Sequence, residues 1–202
     1  MAARIDKVVV SGVFSLDGQD FDVDNNVWLV GDDDEVLVID APHDAAPIVE
    51  AVGGRRVTAI VLTHGHNDHI TAAPALREAT GAPIWFNPAD RMLWDMTHAD
   101  AAPDHDLAAG TRFTVAGTTL TALHTPGHSP GSTCLHAPEL GTVFTGDTLF
   151  CGGPGATGRS YSDHPTIVES IRTRLLTLPG DTVVRTGHGD DTTIAAETSN
   201  IS

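Results

Sequence analysis

The chain has 202 residues, 41% of them hydrophobic, enough to bury one sizeable core, and residues 1–202 read as a single domain. Its 27 acidic residues outweigh 11 Lys and Arg for a formal charge of -16, which argues against nucleic acid or anionic lipid as a partner. Cys134 and Cys151 are the only cysteines; they argue against a disulfide framework and are expected to be buried or incidental thiols, with Cys151 packed rather than lining a pocket.

The opening "MAARIDKVVVSGVF" carries Arg4 and Lys7, but Asp6 interrupts it and no export-type apolar segment follows. No apolar run is long enough to span a bilayer, so a soluble, cytoplasmic protein is expected.

Taken in chain order, "KVVVSGVF", "NVWLVG" and "EVLVIDA" read as strands, short and bounded by Gly or Asp. "DAAPIVEAVGG" reads as a helix from Asp44 to Gly53, "VTAIVLT" as a strand, and "DHITAAPALREATG" as one helix ending at Gly81. "PIWF" is a strand and "NPADRMLWDMTH" a helix with Pro88 in its first turn. Four strands follow, "RFTVAG", "TLTALH", "STCLHA" and "TVFTG", then an irregular Gly-rich loop, "CGGPGATGRSYS", at 151–162. "SDHPTIVESIRTRLLTLPG" is a helix whose Ile167, Ile171, Leu175 and Leu178 share one face, and "TVVRTG" is the last strand. Strands in runs with helices inserted at intervals favour two stacked sheets flanked by helices over a strictly alternating parallel sheet.

The chemistry concentrates in "AIVLTHGHNDHI" at 59–70. While the backbone stays extended, His64 and His66 point to the same side. Asp68 is placed to cap a helix beginning near His69, a turn that aims Asp68 and His69 at a second, neighbouring point. Imidazoles with a carboxylate suit zinc, iron or a similar metal in a reactive rather than a closed structural site. His128 in "HTPGHSPGS", Asp147 in "FTGDTLF" and His188 in "TGHGDDT" each follow an apolar run and a Gly-containing turn in the same way. His43, His98, His105, His136 and His164 lack such company and are expected to be ordinary surface or packed histidines.

These segments, in this order, resemble the metallo-β-lactamase fold superfamily, and within it the short glyoxalase II-like hydrolases. "NNVWLVGDDDEVLVIDAP" is similar to the family's opening strands, with Asp40 in a supporting position. The resemblance implies an α+β, four-layer αββα sandwich. It implies two divalent metal ions, with zinc expected and iron or manganese as alternatives: His64, His66 and His128 on the first, Asp68, His69 and His188 on the second, and Asp147 bridging them. It also implies that Asp68 is catalytic, orienting a metal-bound hydroxide. His124 matches a position that supports a ligand. Asp190 and Asp191 either orient a ligand imidazole or are solvated surface charges, with solvation the expectation.

The implied reaction is hydrolysis of a small-molecule thioester, whose thiolate leaves without a strong acid because its parent pKa is about 8.5. Arg159 and Tyr161 match positions that hold the thiol carrier, while a simple Arg159–Asp163 pair is an equal alternative. Full-length glyoxalase II enzymes carry a further helical region after the position of His188, which leaves the carrier open between glutathione and another small thiol such as mycothiol. The rival activities are a mononuclear iron persulfide dioxygenase using His64, His128 and Asp147, a lactonase, and a non-catalytic metal-binding protein.

Overall fold

An Asp-Gly pair reverses the chain between its first two strands. In the computed structural model of the protein, which describes residues 2–201, β1 (Arg4–Leu16) and β2 (Gln19–Gly31) pair antiparallel along their full length. The turn residues both have positive φ, 54° at Asp17 and 71° at Gly18, as a two-residue hairpin of the favoured hand requires. The hairpin therefore runs beyond the apolar stretches that mark it in the sequence. Its distal part leaves Val13 and Phe21 exposed.

β3 (Glu35–Ile39) pairs antiparallel with β2, and α1 (Ala45–Val52) returns the chain to β4 (Arg56–Val61), parallel to β3. The Asp44 side chain accepts from the Ala46 N–H and Gly53 closes α1 at φ 64°, the start and stop read from the sequence. The helix read over 68–81 is in fact two, α2 (Asn67–Ile70) and α3 (Ala73–Thr80). The Ala72 N–H donates to Ala41 O at 2.9 Å, so a bond to the β3–α1 junction replaces a helical one. β5 (Ile84–Phe86), a 3-10 turn at Pro88–Asp90, α4 (Arg91–Thr97) and β6 (His105–Asp106) complete a six-stranded sheet of order β1-β2-β3-β4-β5-β6.

β7 (Arg112–Val115), β8 (Thr118–His124), β9 (Thr133–Ala137) and β10 (Thr142–Gly146) begin the second sheet. The Gly-rich loop contains a small ribbon, β11 (Leu149–Phe150) with β12 (Gly153–Pro154). α5 (His164–Ser170) then passes into a π-helical turn at Ile171–Leu175, so the last long helix is shorter and less regular than its periodicity predicts. β13 (Val183–Thr186) joins β10 in parallel, followed by β14 (Thr192–Thr193) and α6 (Ile194–Glu197), giving the order β14-β13-β10-β9-β8-β7.

Period-two alternation sorts the side chains into layers. Leu37, Ile39 and Val61 of the first sheet meet Leu120, Leu135 and Phe144 of the second, and Trp28 lies 6.0 Å from Phe144 between ring centroids. On the other face of the first sheet Val36, Val38 and Ile60 pack with Ile48, Leu76 and Trp94 of the helices. Val143 and Val184 of the second sheet pack with Ile167, Ile171 and Leu175. The result is an αββα sandwich in which each fully buried aliphatic side chain contributes roughly 1.5–3 kcal/mol. No helix among the described residues is long and apolar enough to cross a membrane. His64 follows the C-terminal end of β4, while Asp147 and His188 follow those of the parallel pair β10 and β13, so one edge of the sandwich collects them.

Candidate metal centre

After β4 the chain is held by Asp40, whose Oδ1 accepts from the Thr63 N–H at 2.7 Å and whose Oδ2 accepts from Thr63 Oγ1 at 2.9 Å. Asp40 itself has φ 65°, a backbone setting uncommon outside glycine. His66 occupies the N-cap position of α2 without a side-chain capping bond. Asp68 is therefore not the cap expected from sequence; it lies inside the first turn, buried, with its carboxylate turned to the ligand cluster.

All seven candidate ligands converge. His64 Nε2 and His128 Nε2 each lie 3.0 Å from His66 Nδ1. His69 Nε2 and His188 Nε2 are 3.2 Å apart and stand 3.5 and 3.3 Å from Asp68 Oδ2. Asp147 reaches both groups, with Oδ1 at 3.3 Å from His69 Nε2 and Oδ2 at 3.4 and 3.6 Å from His188 Nε2 and His128 Nε2. One ring nitrogen cannot exchange protons with two bare neighbours at once. Ligands about 2.1 Å from a tetrahedral ion stand about 3.4 Å apart, so these separations suit metal ligation, with Asp147 within reach of both groups.

The opposite ring nitrogens fix the tautomers. His69 Nδ1–H donates to Asp40 Oδ2, His128 Nδ1–H to Ala156 O and His188 Nδ1–H to Asp24 O, each at 2.8 Å, and His64 Nδ1–H donates to Thr63 Oγ1 at 3.1 Å. In its neutral form each leaves a bare Nε2 facing the centre, the arrangement by which outer hydrogen bonds orient metal-binding imidazoles. His66 faces the centre through Nδ1.

Charge supports the same reading. Burial, reinforced by the neighbouring imidazoles, lowers the pKa of His64 well below the usual range and that of His66 to about 3, keeping both neutral. Burial opposes protonation of His69 and His188 too, yet the carboxylates win: Asp147, Asp68 and Asp40 raise His69 well above its ordinary value, and Asp147 with Asp68 raises His188 to about 10. The buried carboxylates thus call for cations. Asp68 Oδ1, Asp147 Oδ1 and His66 Nε2 are buried without a hydrogen-bond partner, a cost that coordination removes at the carboxylates. The donor set fits two divalent ions.

Three supporting residues had no marker in the sequence reading. Asp90 is fully buried and accepts from the Gly65 N–H at 2.8 Å, the Gly131 N–H at 2.5 Å and Ser129 Oγ at 2.6 Å. It thereby ties the His64–His66 turn to the turn carrying His128. Gly65 permits this approach, since a Cβ there would fall 2.9 Å from the Asp90 Cβ. Asn25, also fully buried, donates through Nδ2 to Asp68 Oδ2 at 3.0 Å and accepts through Oδ1 from His43 Nε2 at 2.8 Å. His43, set aside in the sequence, is thus one side chain removed from the centre.

Above the ligands lies a cavity of about 430 Å³, bounded by the distal hairpin and the 151–162 loop. Arg159 lines it, with its guanidinium 4.6 Å from the Phe21 ring centroid and 5.7 Å from that of Phe14, and donates to Gln19 Oε1 at 3.2 Å. It does not pair with Asp163, whose carboxylate instead accepts from the Thr166 N–H as the cap of α5. Tyr161 is exposed at φ 70° and lies outside the cavity lining, unlike its neighbours Ser160 and Ser162. Cys134 is buried, but Cys151 is exposed rather than packed. His124 donates through Nε2–H to Pro130 O, 2.9 Å away, and so braces the His128 turn. Asp191 is not merely solvated; it pairs with Arg185.

A family model described as "Metallo-beta-lactamase superfamily" matches residues 21–188. A protein of Haemophilus influenzae named hydroxyacylglutathione hydrolase GloC is 34% identical over 188 residues, covering 85% of this chain and 89% of that protein. The hydroxyacylglutathione hydrolase of Cereibacter sphaeroides is 37% identical over 169 residues, covering 82% of this chain but 62% of its own, so the chain spans less than two thirds of that longer relative. Among solved structures, TTHA1623 in a di-iron-bound form superposes with a TM-score of 0.79 at 31% identity, covering 88% of this chain and 94% of the other.

Proposed function

The chain belongs to the metallo-beta-lactamase superfamily, and from that premise we propose that it is a dinuclear metal-dependent hydrolase that cleaves the thioester of a small thiol carrier such as glutathione or mycothiol, in a cytoplasmic setting. The observation that carries this reading is the position of Asp147 between two complete sets of donors. His64, His66 and His128 would hold one ion, Asp68, His69 and His188 the other, and Asp147 both. When bound, such ions lower the pKa of water to about 7 and polarise a carbonyl.

The protein's own groups do the rest. Asp68 lines the cavity beside the donors, which suits its carboxylate to orient the attacking water. Asp40, Asp24 and Ala156 hold the ligand imidazoles in the tautomers that face the centre. Arg159 stands ready for a carboxylate of the carrier. A thiolate leaving group needs no protein acid. Hydroxyacylglutathione hydrolase, the name of two relatives, is an activity of this class.

A mononuclear iron persulfide dioxygenase would need only His64, His128 and Asp147. The second set of donors, each oriented by its own hydrogen bond, supports the dinuclear reading. Elemental analysis of protein purified without chelators, joined to an assay of thiol release from acyl thioesters, tests it. About two zinc, iron or manganese ions per chain with thioester turnover are expected. One iron per chain, with oxygen consumed on a persulfide, would overturn it.

A further inference from the structure

The cavity wall above the candidate ligands is largely apolar. Phe14 and Phe21 stack with centroids 6.2 Å apart, Phe14 lies 5.1 Å from the His66 ring, and Phe150 lies 6.2 Å from the His188 ring. Val23 and Ala156 complete the wall. Aromatic surface thus flanks both sets of donors. Phe21 remains 38% exposed, a cost in water that a bound apolar group would remove.

The wall is also fixed in place. Asn67 of α2 donates through Nδ2 to Val13 O and accepts from the Ser15 N–H, both at 2.8 Å, latching the hairpin beside the ligand helix. From the other side the Ser160 N–H donates to Asp17 Oδ2 at 3.0 Å, and Arg159 lies across both Phe rings. Such preorganisation lowers the ordering cost of binding.

Besides the candidate ligands, few polar side chains line the cavity: Asp22, Arg159, Ser160 and Ser162. Ser162 Oγ accepts from the Gly158 and Arg159 N–H groups and donates to Arg159 O, so its capacity is spent within the loop. Apart from the candidate ligands, Asp22 and Arg159 are the charged residues lining the cavity among those described. A hydroxyacyl group would leave its hydroxyl dehydrated against phenyl rings, whereas an aryl or branched alkyl group would bury apolar surface.

The geometry points to an acyl thioester with an aryl or branched-alkyl acyl group, rather than a short hydroxyacyl one, as the substrate class of this site. The inference rests on the thioesterase reading and narrows it. One oxygen of water adds to the acyl carbon, the C–S bond breaks, and the products are an apolar carboxylic acid and the free thiol, with no oxidant or reductant consumed.

The test holds the thiol constant: S-phenylacetylglutathione and S-D-lactoylglutathione are compared on the metal-loaded protein by release of glutathione. The phenylacetyl ester is expected to show a kcat/KM about tenfold or more above the lactoyl ester, and Phe21→Ala to cut that ratio by about fivefold while Phe21→Leu keeps most of it. A lactoyl ester cleaved as well as or better than the phenylacetyl ester overturns this inference and leaves the thioesterase reading standing. Cleavage of neither, nor of the corresponding mycothiol esters, overturns the thioesterase reading. Calorimetric binding of phenylacetate against D-lactate then reads the wall without catalysis, about tenfold tighter phenylacetate supporting the apolar site and equal affinities overturning it.

Discussion

The Oδ2 oxygen of Asp90 accepts the backbone N–H of Gly65 at 2.8 Å, and through this bond a residue outside the ligand set governs two ligand turns. Asp90→Ala leaves the Gly65 and Gly131 amides and the Ser129 hydroxyl without their acceptor. At about 1–3 kcal/mol for each unsatisfied buried group, the metal-free protein should lose about 3 kcal/mol or more. Urea unfolding checks this, and an unchanged midpoint would refute the role.

Asp147→Ala removes the carboxylate that reaches both donor sets. Turnover should fall by at least about a thousandfold, and metal content should drop toward one ion per chain or fewer. Full activity with two retained ions would sink the bridging assignment.

Gly187→Ala should resemble it by steric means. A Cβ at this position would sit 2.3 Å from Asp147 Oδ1 and 2.9 Å from His69 Cε1. The backbone cannot yield freely, because the Gly187 N–H donates to Gly146 O at 2.8 Å and its carbonyl accepts from the Asn26 N–H at 2.7 Å. Elemental analysis should show lost metal; wild-type content would mean that the two strand ends shift without cost.

Asn25→Ala acts one layer out. Loss of the bond to Asp68 Oδ2 should weaken metal retention at the Asp68–His69–His188 set by about tenfold, within the range for such outer hydrogen bonds. Competition with a chelator of known affinity measures it. His43→Ala, which removes only the partner of Asn25, should have the smaller effect.

Arg159→Ala should raise KM for a carrier-linked thioester by roughly tenfold and change kcat by less than about twofold, as expected when ground state and transition state lose the same contact. Steady-state kinetics decides. An unchanged KM removes Arg159 from carrier binding.

Much of the centre was legible because metal-binding side chains are conspicuous in context. His64, His66, Asp68 and His69 crowd one turn after an apolar strand, and His128, Asp147 and His188 repeat the strand-turn-ligand pattern. Asn25, His43 and Asp90 were not legible, because each acts through a hydrogen bond to a residue distant in the chain, and a single polar residue beside a strand carries no mark of that partner. The layered fold was readable from alternation in β3 and β4. The long hairpin was missed although "LDGQ" holds an Asp-Gly turn signal, since its distal strands alternate too weakly to stand out. Likewise the one helix read over 68–81 divides where Ala72 bonds to Ala41, a tertiary contact that periodicity does not encode.

The roof of the cavity is joined by contacts between the two ends of the chain: Arg159 to Gln19, separated by 140 residues, and His188 to Asp24, separated by 164. Closing loops of that size carries an entropic cost before any contact rewards it. During synthesis the hairpin emerges first and waits for residues near 159 and 188 before its aromatic face acquires an opposite wall. The cavity is thus a late product of folding, and a chain released short of Ala156 has the hairpin and most of its strands but not the loop that faces it.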